Sequence, residues 1–178
     1  MNVSFVIRSK NESRWIGHAI QSVVDNYESP QIVIVDNDSS DDTIDVVRLF
    51  MKDRNSHNIE IVNISRLDYT PGRSINAGIS KLKNMDDNSV VCILSAHCQI
   101  QKVDYSQLAS MFKEEGCCAV MGKQIPIYRG KKILNRYVWQ NFSHPEVVKN
   151  PIEAIPDTRP FFHNAFSFIN LSVWNNYK

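Results

Sequence analysis

Two groups of side chains able to do chemistry stand directly after apolar runs in this chain. Val90, Val91, Cys92, Ile93 and Leu94 run without interruption and drop onto Ser95, Ala96 and His97. An aliphatic run with no alternation reads as a strand buried on both faces. Open α/β sheets bind their ligands just outside the carboxyl ends of such strands, so Ser95 and His97 emerge where chemistry is expected. A neutral imidazole there can ligate manganese but suits magnesium poorly. A protonated one can offset the charge of an anion, and a third reading is a histidine satisfied by its own structure. The second group is Asp36, Asp38, Asp41 and Asp42, which follow the run Gln31 to Val35. Asp36, at the strand end, can accept from a base imide or a ribose hydroxyl, or cap the backbone. The other three read as solvated caps, favourably placed in a helix's first turn.

The elements that must position these groups are legible in order. Val3 to Arg8 predicts a first strand, and Asn11 is placed to cap a helix carrying Trp15, Ile16, Ala19, Ile20, Val23 and Val24 on one face. Gln31 to Val35 predicts the second strand. Ser39 or Ser40 is expected to cap the helix that turns Ile44, Val47 and Met51 to the core. A third strand spans Ile59 to Ile64, and Pro71-Gly72 opens a helix with Ile75, Ile79 and Leu82. After the strand Ser89 to Leu94, Asp104 caps a helix with Leu108, Met111 and Phe112, Gly116 ends it, and Cys117 to Met121 extends. Ile133, Leu134, Tyr137 and Val138 suggest another helix, and Ser143 to Pro160 reads as loop. Phe161 to Ile169 reads as a strand, and Asn170 as the cap of a last helix. Strands alternating with amphipathic helices argue for an α/β fold with a mostly parallel sheet and helices on both faces.

Composition and missing motifs narrow the function. The formal net charge is +1, and lysine and arginine form no run, so no bulk field recruits nucleic acid. No apolar stretch approaches the roughly 20 residues of a membrane-spanning helix. The start MNVSFVIRSK lacks a signal-peptide pattern, which sets a cytoplasmic expectation. Cys92, Cys98, Cys117 and Cys118 have no metal-type spacing and are expected as reduced thiols. There is no GxGxxG, no GxxxxGK[ST], no GxSxG and no HExxH. Arg8-Ser9-Lys10-Asn11 is not the glycine-rich basic loop of a nucleotidyltransferase.

The motifs together resemble a known family. VSFVIRSKNE, then QIVIVDNDSSDDT, then GRSINAGI, then a strand ending near residue 97, is similar to the family 2 glycosyltransferases of the GT-A fold. VDNDSSDDT matches that family's common VDDGSTDDT at most positions. GKQIP and FFHNAFSFINLSVW are similar to its rhamnosyltransferase-like branch. The resemblance covers nearly the whole chain, and it implies transfer of a sugar from a nucleotide-diphosphate donor to an acceptor hydroxyl. Inversion at the anomeric carbon and a place in bacterial surface polysaccharide assembly come with it. Arg8 and Ser9 are implied to lie near base and ribose, and Asp36 to bond the base with Asp38 beside it. Arg73 is implied to meet base or diphosphate, against the plainer reading of a surface arginine. Gln124, His163 and Asn164 are implied to face the acceptor, a glycan or lipid-linked glycan. Tyr128, Trp139, Phe161 and Phe162 could stack on sugar rings, although core packing is the commoner fate of aromatic residues.

Two departures accompany the resemblance. The family's fourth strand ends in Asp-x-Asp, whose last carboxylate holds a divalent metal, whereas Ser95 and His97 stand at those positions. Metal ligation by His97, a metal-free diphosphate contact and a structural role all stay open, and so do Mn²⁺, Mg²⁺ or no metal as cofactor. The family's general base lies beyond the FFHNAFSFINLSVW-like segment and is expected past Lys178. The expectation is one domain over residues 1–178, with a nucleotide-binding half at 1–100 and an incomplete acceptor half at 101–178. Such a domain would sit in the cytoplasm or peripherally at the inner membrane face. The rival is a catalytically silent nucleotide-sugar-binding module.

Overall fold

The computed structural model describes residues 1–52, 58–86, 88–133 and 164–177. The chain divides into two compact units, Met1–Val120 with Asn164–Lys178, and Met121–His163. In chain order the elements are β1 (Val3–Ser9), α1 (Ile16–Asn26), β2 (Gln31–Asp36), α2 (Thr43–Lys52), β3 (Asn58–Asn63) and α3 (Pro71–Ile79). They continue with β4 (Val90–Ser95), α4 (Tyr105–Met111), β5 (Ala119–Met121), β6 (Ile127–Tyr128), β7 (Lys131–Lys132), β8 (Phe166–Asn170) and α5 (Leu171–Tyr177).

The main sheet runs β3-β2-β1-β4-β8-β5. β1 pairs in parallel with both β2 and β4, β2 pairs in parallel with β3, and β8 lies antiparallel against β4. The chain thus builds outward from β1 to β3, then returns to lay β4 on the other side of β1. That reversal makes the carboxyl ends of β1 and β4 the switch point of the sheet, the place where α/β sheets bind ligands.

Both sheet faces are covered, which is why the strands lack alternation. One face buries Phe5, Ile7, Ile32, Ile34, Cys92 and Leu94 against Ile16, Ala19, Ile20 and Val23 of α1, Val47 of α2 and Leu108 of α4. The other buries Val6, Val33, Val35, Val91 and Ile93 against Ile75 of α3 and Leu171 of α5. α3 lies very close to the sheet. A Cβ on Gly78 would stand 2.4 Å from Val6 Cγ1 and 2.9 Å from Val35 Cγ2.

Several local expectations are corrected. Asn11 does not cap α1, which starts at Ile16 behind Trp15 with no side-chain cap. Instead Asn11 takes a left-handed backbone (φ 54°), a conformation asparagine tolerates. Neither Ser39 nor Ser40 caps α2. Asp41 Oδ1 accepts from Thr43 N at 3.0 Å and from the Thr43 hydroxyl, because the chain bends once more before the helix begins. Met51 is 41% exposed rather than core-facing, since Val47 already fills the helix's contact with the sheet. Strand bounds shift as well: β5 begins at Ala119 and β8 at Phe166.

Asp104 caps α4 as expected, accepting from Ser106 N and Gln107 N. Asn170 accepts from Ser172 N at the start of α5. In the second unit, Arg129 (φ 49°) and Gly130 (φ 73°) make the tight turn between β6 and β7, the pair of left-handed residues a two-residue hairpin needs. Ile133 closes this hairpin by donating to Pro126 O at 3.1 Å. Tyr128 is exposed, with the Arg129 guanidinium 5.4 Å from its ring centroid. The expected helix through Leu134, Tyr137 and Val138, the loop Ser143 to Pro160, and Trp139, Phe161 and Phe162 lie outside the described residues.

Candidate functional site

The parallel register sets Arg8 beside both Val35 and Ser95, Ser9 beside Asp36, and Asp36 beside Asn63. Four strand ends therefore deliver polar groups to one edge of the sheet. Asp36 is buried and its carboxylate is well supplied with donors. Ser9 Oγ gives to Oδ1 at 3.1 Å, Ser39 Oγ to Oδ1 at 2.6 Å, and Ser39 N to Oδ2 at 2.9 Å. An ionised carboxylate offers about four acceptor positions, so one more donor can be accommodated. Capping and ligand binding are compatible here. Ser9 is committed to Asp36, and it acts by holding that carboxylate.

Asp38 ties β2's exit to β3's. Its backbone is left-handed (φ 47°), and its carboxylate accepts from Arg66 N at 2.7 Å and Asn63 Nδ2 at 3.1 Å. The bond from the Arg66 backbone, then that from Asn63, holds its pKa below the usual value. A cavity of about 360 Å³ opens beside these residues, between Asp36, Asp38 and Ser39, Ile61 and Asn63 of β3, and Ile44 and Arg48 of α2. Its lining is mostly polar, with Ile44 and Ile61 the two apolar side chains.

A lattice of hydrogen bonds fastens the loop after β1 to the loop after β2. Asn37 N gives to Ser9 O, Lys10 Nζ to Asn37 O, Asn11 N to Ser39 Oγ, and Ser40 N to Asn11 Oδ1. Glu12 N gives to Thr43 Oγ1 at 2.7 Å and Ser13 N to Asp41 Oδ2 at 3.1 Å. Burial pushes the Asp41 carboxyl up, but the bonds from Thr43 and Ser13 outweigh it and hold it at about 2.

On the β4 side the chain turns sharply, with Ser95 N bonded to Ala165 O, Ala96 N to Arg8 O and Cys98 N to Ser95 O. This turn presents His97, whose side chain is 58% exposed, with Nδ1 3.0 Å from Glu12 Oε1. Cys98, next to it, is held up at about 11 by burial and then by the Glu12 charge, which makes it an unreactive thiol. Arg8 reaches Asn164 Oδ1 through Nη2 at 3.3 Å, while its buried Nε has no partner among the described residues. Asn37 Oδ1 is likewise buried and unpartnered.

Arg8, Ser9, Asp36, Asp38, Ser95, His97 and Asn164 therefore all lie at one end of the first unit's sheet. Arg73 sits in the first turn of α3, exposed, its guanidinium 3.5 Å from Asp68 O. No hydrogen bond or ion pair among the described residues joins it to the Asp36 group. Gln124 belongs to the second unit, and His163 lies outside the described residues. Glu12 and Asn63 were missed from the sequence. Asn63 ends β3 and Glu12 lies three residues past β1, both at the same edge of the sheet as Asp36, which was the available signal. Among the described residues no three His, Cys, Asp or Glu side chains converge where a metal could be held.

A six-stranded, mostly parallel sheet with polar groups gathered at its switch point defines an α/β ligand-binding domain of the GT-A type. The chain belongs to the glycosyl transferase family 2, whose model it matches over residues 4–171. It matches none of the curated proteins. Among solved structures, TarS residues 1–349 from S. aureus is 14% identical, with TM-score 0.63, covering 99% of this chain and 49% of that one. The mannosyltransferase PcManGT from Pyrobaculum calidifontis, in complex with GDP-Man and Mn²⁺, is 14% identical with TM-score 0.61, covering 98% of this chain and 46% of that one. The same TarS fragment in complex with UDP-GlcNAc is 18% identical with TM-score 0.57, covering 75% of this chain and 37% of that one. These likenesses establish the fold. The chain spans about half the length, or less, of these structures.

Proposed function

We propose that the first unit binds a nucleoside-diphosphate sugar across the carboxyl ends of β1, β2 and β4, for transfer of the sugar to an acceptor hydroxyl. The observation that carries this is Arg8. Its buried Nε at the switch point has no partner among the described residues, and a buried donor left so is costly without a ligand or water. A planar cation of this kind suits phosphate oxygens. Asp36 has acceptor capacity for a base imide or ribose hydroxyl, and a largely polar cavity opens beside it. TarS has been solved with UDP-GlcNAc and PcManGT with GDP-Man, and family membership supports the same donor chemistry here.

In the transfer, the acceptor oxygen bonds to the anomeric carbon as the bond from that carbon to the diphosphate breaks. Attack from the opposite face inverts the centre, and the acceptor's proton passes to a base. Negative charge grows on the departing diphosphate, where the Arg8 guanidinium would oppose it. Asp38 and Ser95 shape the two loops around the donor, and Arg73 is assigned to the nucleotide from the mouth of α3. Asn164, held by Arg8, and Gln124 and His163 are assigned to the acceptor side, a glycan or lipid-linked glycan in surface polysaccharide assembly. Such a donor is met in the cytoplasm or at the inner membrane face. No described helix is long and apolar enough to cross a membrane.

A divalent ion would rest on His97 Nε2 and the donor's own diphosphate oxygens, a mixed set that fits manganese better than magnesium. When bound it supplies positive charge to the leaving group. Titrating Mn²⁺ and Mg²⁺ into donor binding, with wild type and His97→Ala, tests the assignment. Manganese-enhanced binding lost in His97→Ala supports the ligand role, and metal-independent binding weakened in His97→Ala supports a direct diphosphate contact. Equal binding in both proteins, with or without metal, refutes a functional His97. Ser-Ala-His in place of Asp-x-Asp favours one second reading, a donor-binding module that does not transfer. Hydrolysis or transfer of a labelled donor by the whole protein distinguishes the two.

A further inference from the structure

We infer that Glu12 is a positioning residue for His97: it holds Nδ1–H on its carboxylate and leaves Nε2 as an open acceptor on the donor side of the site, able to take a donor hydroxyl or a cation but not a phosphate oxygen. This deepens the donor-site reading and rests on it for the identity of the ligand. The 3.0 Å contact between Glu12 Oε1 and His97 Nδ1 spans 85 residues of sequence. It joins the loop after β1 to the turn after β4 across the switch point.

The two partners are unequal in burial and anchoring. The Glu12 side chain is 22% exposed against 58% for His97. Its backbone is anchored on three sides, donating to Thr43 Oγ1 at 2.7 Å and accepting from Trp15 N and Ile16 N at 2.9 Å each. The carboxylate is thus held on a rigid mount that is itself tied through Thr43 and Asp41 to the β2 exit loop. The exposed imidazole has no comparable anchor, and its orientation follows from the carboxylate. A carboxylate accepts and cannot donate when ionised, so Nδ1 must carry the proton in this contact. The neutral ring is then the Nδ1–H tautomer with an open lone pair at Nε2. A hydrogen bond to one ring nitrogen commonly sets the role of the other in this way.

The test is the tautomer of His97 in the full chain, read at pH 8 by long-range ¹H–¹⁵N correlation of ¹⁵N-histidine-labelled protein, with His97→Ala assigning the signal. The expected result is Nδ1–H in wild type and a shift toward Nε2–H, the form favoured by free imidazole, in Glu12→Ala. Glu12→Gln, whose amide oxygen can accept the same bond, should keep Nδ1–H. An Nε2–H wild type, or an unchanged tautomer in Glu12→Ala, overturns the inference. The second readout is affinity for uridine diphosphate or guanosine diphosphate with manganese. Glu12→Ala should weaken it by roughly tenfold, the lower end for loss of an orienting partner. Glu12→Ala with His97→Ala should be no weaker than His97→Ala alone, and additive losses overturn the inference. A wild type that binds neither nucleotide refutes the donor site itself, and the tautomer then still decides whether Glu12 sets the ring.

Discussion

Gly78→Ala tests how tightly the helix that opens at Pro71 is seated on the sheet. The added methyl would stand 2.4 Å from Val6 Cγ1 and 2.9 Å from Val35 Cγ2. Carbon contacts are optimal near about 3.5–4.0 Å, so α3 would have to retreat by more than about 1 Å. The valines cannot yield instead. They belong to adjacent paired strands and are stiff at χ1. Overpacking of this kind costs about 1–3 kcal/mol, and the better helix propensity of alanine returns up to about 1 kcal/mol. With that gain fully returned, a net loss of up to about 2 kcal/mol should lower Tm by up to roughly 8 °C at this chain length. Gly72→Ala is the internal control, because nothing lies within 4 Å of its Cβ position in the first turn of the same helix. Thermal and urea unfolding should show Gly78→Ala below wild type and Gly72→Ala at or above it. Equal stability of the two variants would refute the close-seating argument.

Asp36→Asn removes the charge from three hydrogen bonds at a buried site and should cost about 1–3 kcal/mol in urea unfolding. Asp41→Ala should cost about 1 kcal/mol through loss of the α2 cap, with Asp41→Asn recovering most of it. Asp41 is held at about 2, below its unfolded value near about 3.9. Its stabilisation is therefore complete above about pH 4 and is lost as the pH falls through about 2. Because this side chain is solvent-exposed, that term should stay under about 1 kcal/mol, and urea midpoints at pH 6 and pH 2.5 for wild type and Asp41→Asn measure it. A thiol reagent at pH 8 should label exposed Cys118 well before Cys98, which burial holds up at about 11, and before fully buried Cys92. Peptide mapping of a partial reaction reads that order.

The strands of the first unit were legible because burial on both faces leaves an unmistakable sign, the unbroken runs of β1, β2 and β4. The candidate site's place was read from their carboxyl ends, and Asp36 and His97 were singled out that way. The caps were not legible. Asn11, Ser39, Ser40 and Asp41 are all competent capping residues within two short stretches, and which one caps depends on how the two loops lace together. Glu12 was missed for a related reason. Its partner lies 85 residues away, and no local pattern reports a contact made by strand order. Arg73 illustrates the reverse, since its motif position was clear while its guanidinium bonds only within its own loop among the described residues. β6 and β7 were missed because two residues per strand are too short to show a period.

Calorimetric titration of a nucleoside-diphosphate sugar, uridine- and guanosine-linked in turn, into wild type and Arg8→Ala is the most direct measure of the proposed donor site. The account predicts saturable binding to wild type by at least one donor, at least tenfold weaker in Arg8→Ala, with both proteins folded by circular dichroism. Binding that is absent in wild type, or equal in the two proteins, would contradict it.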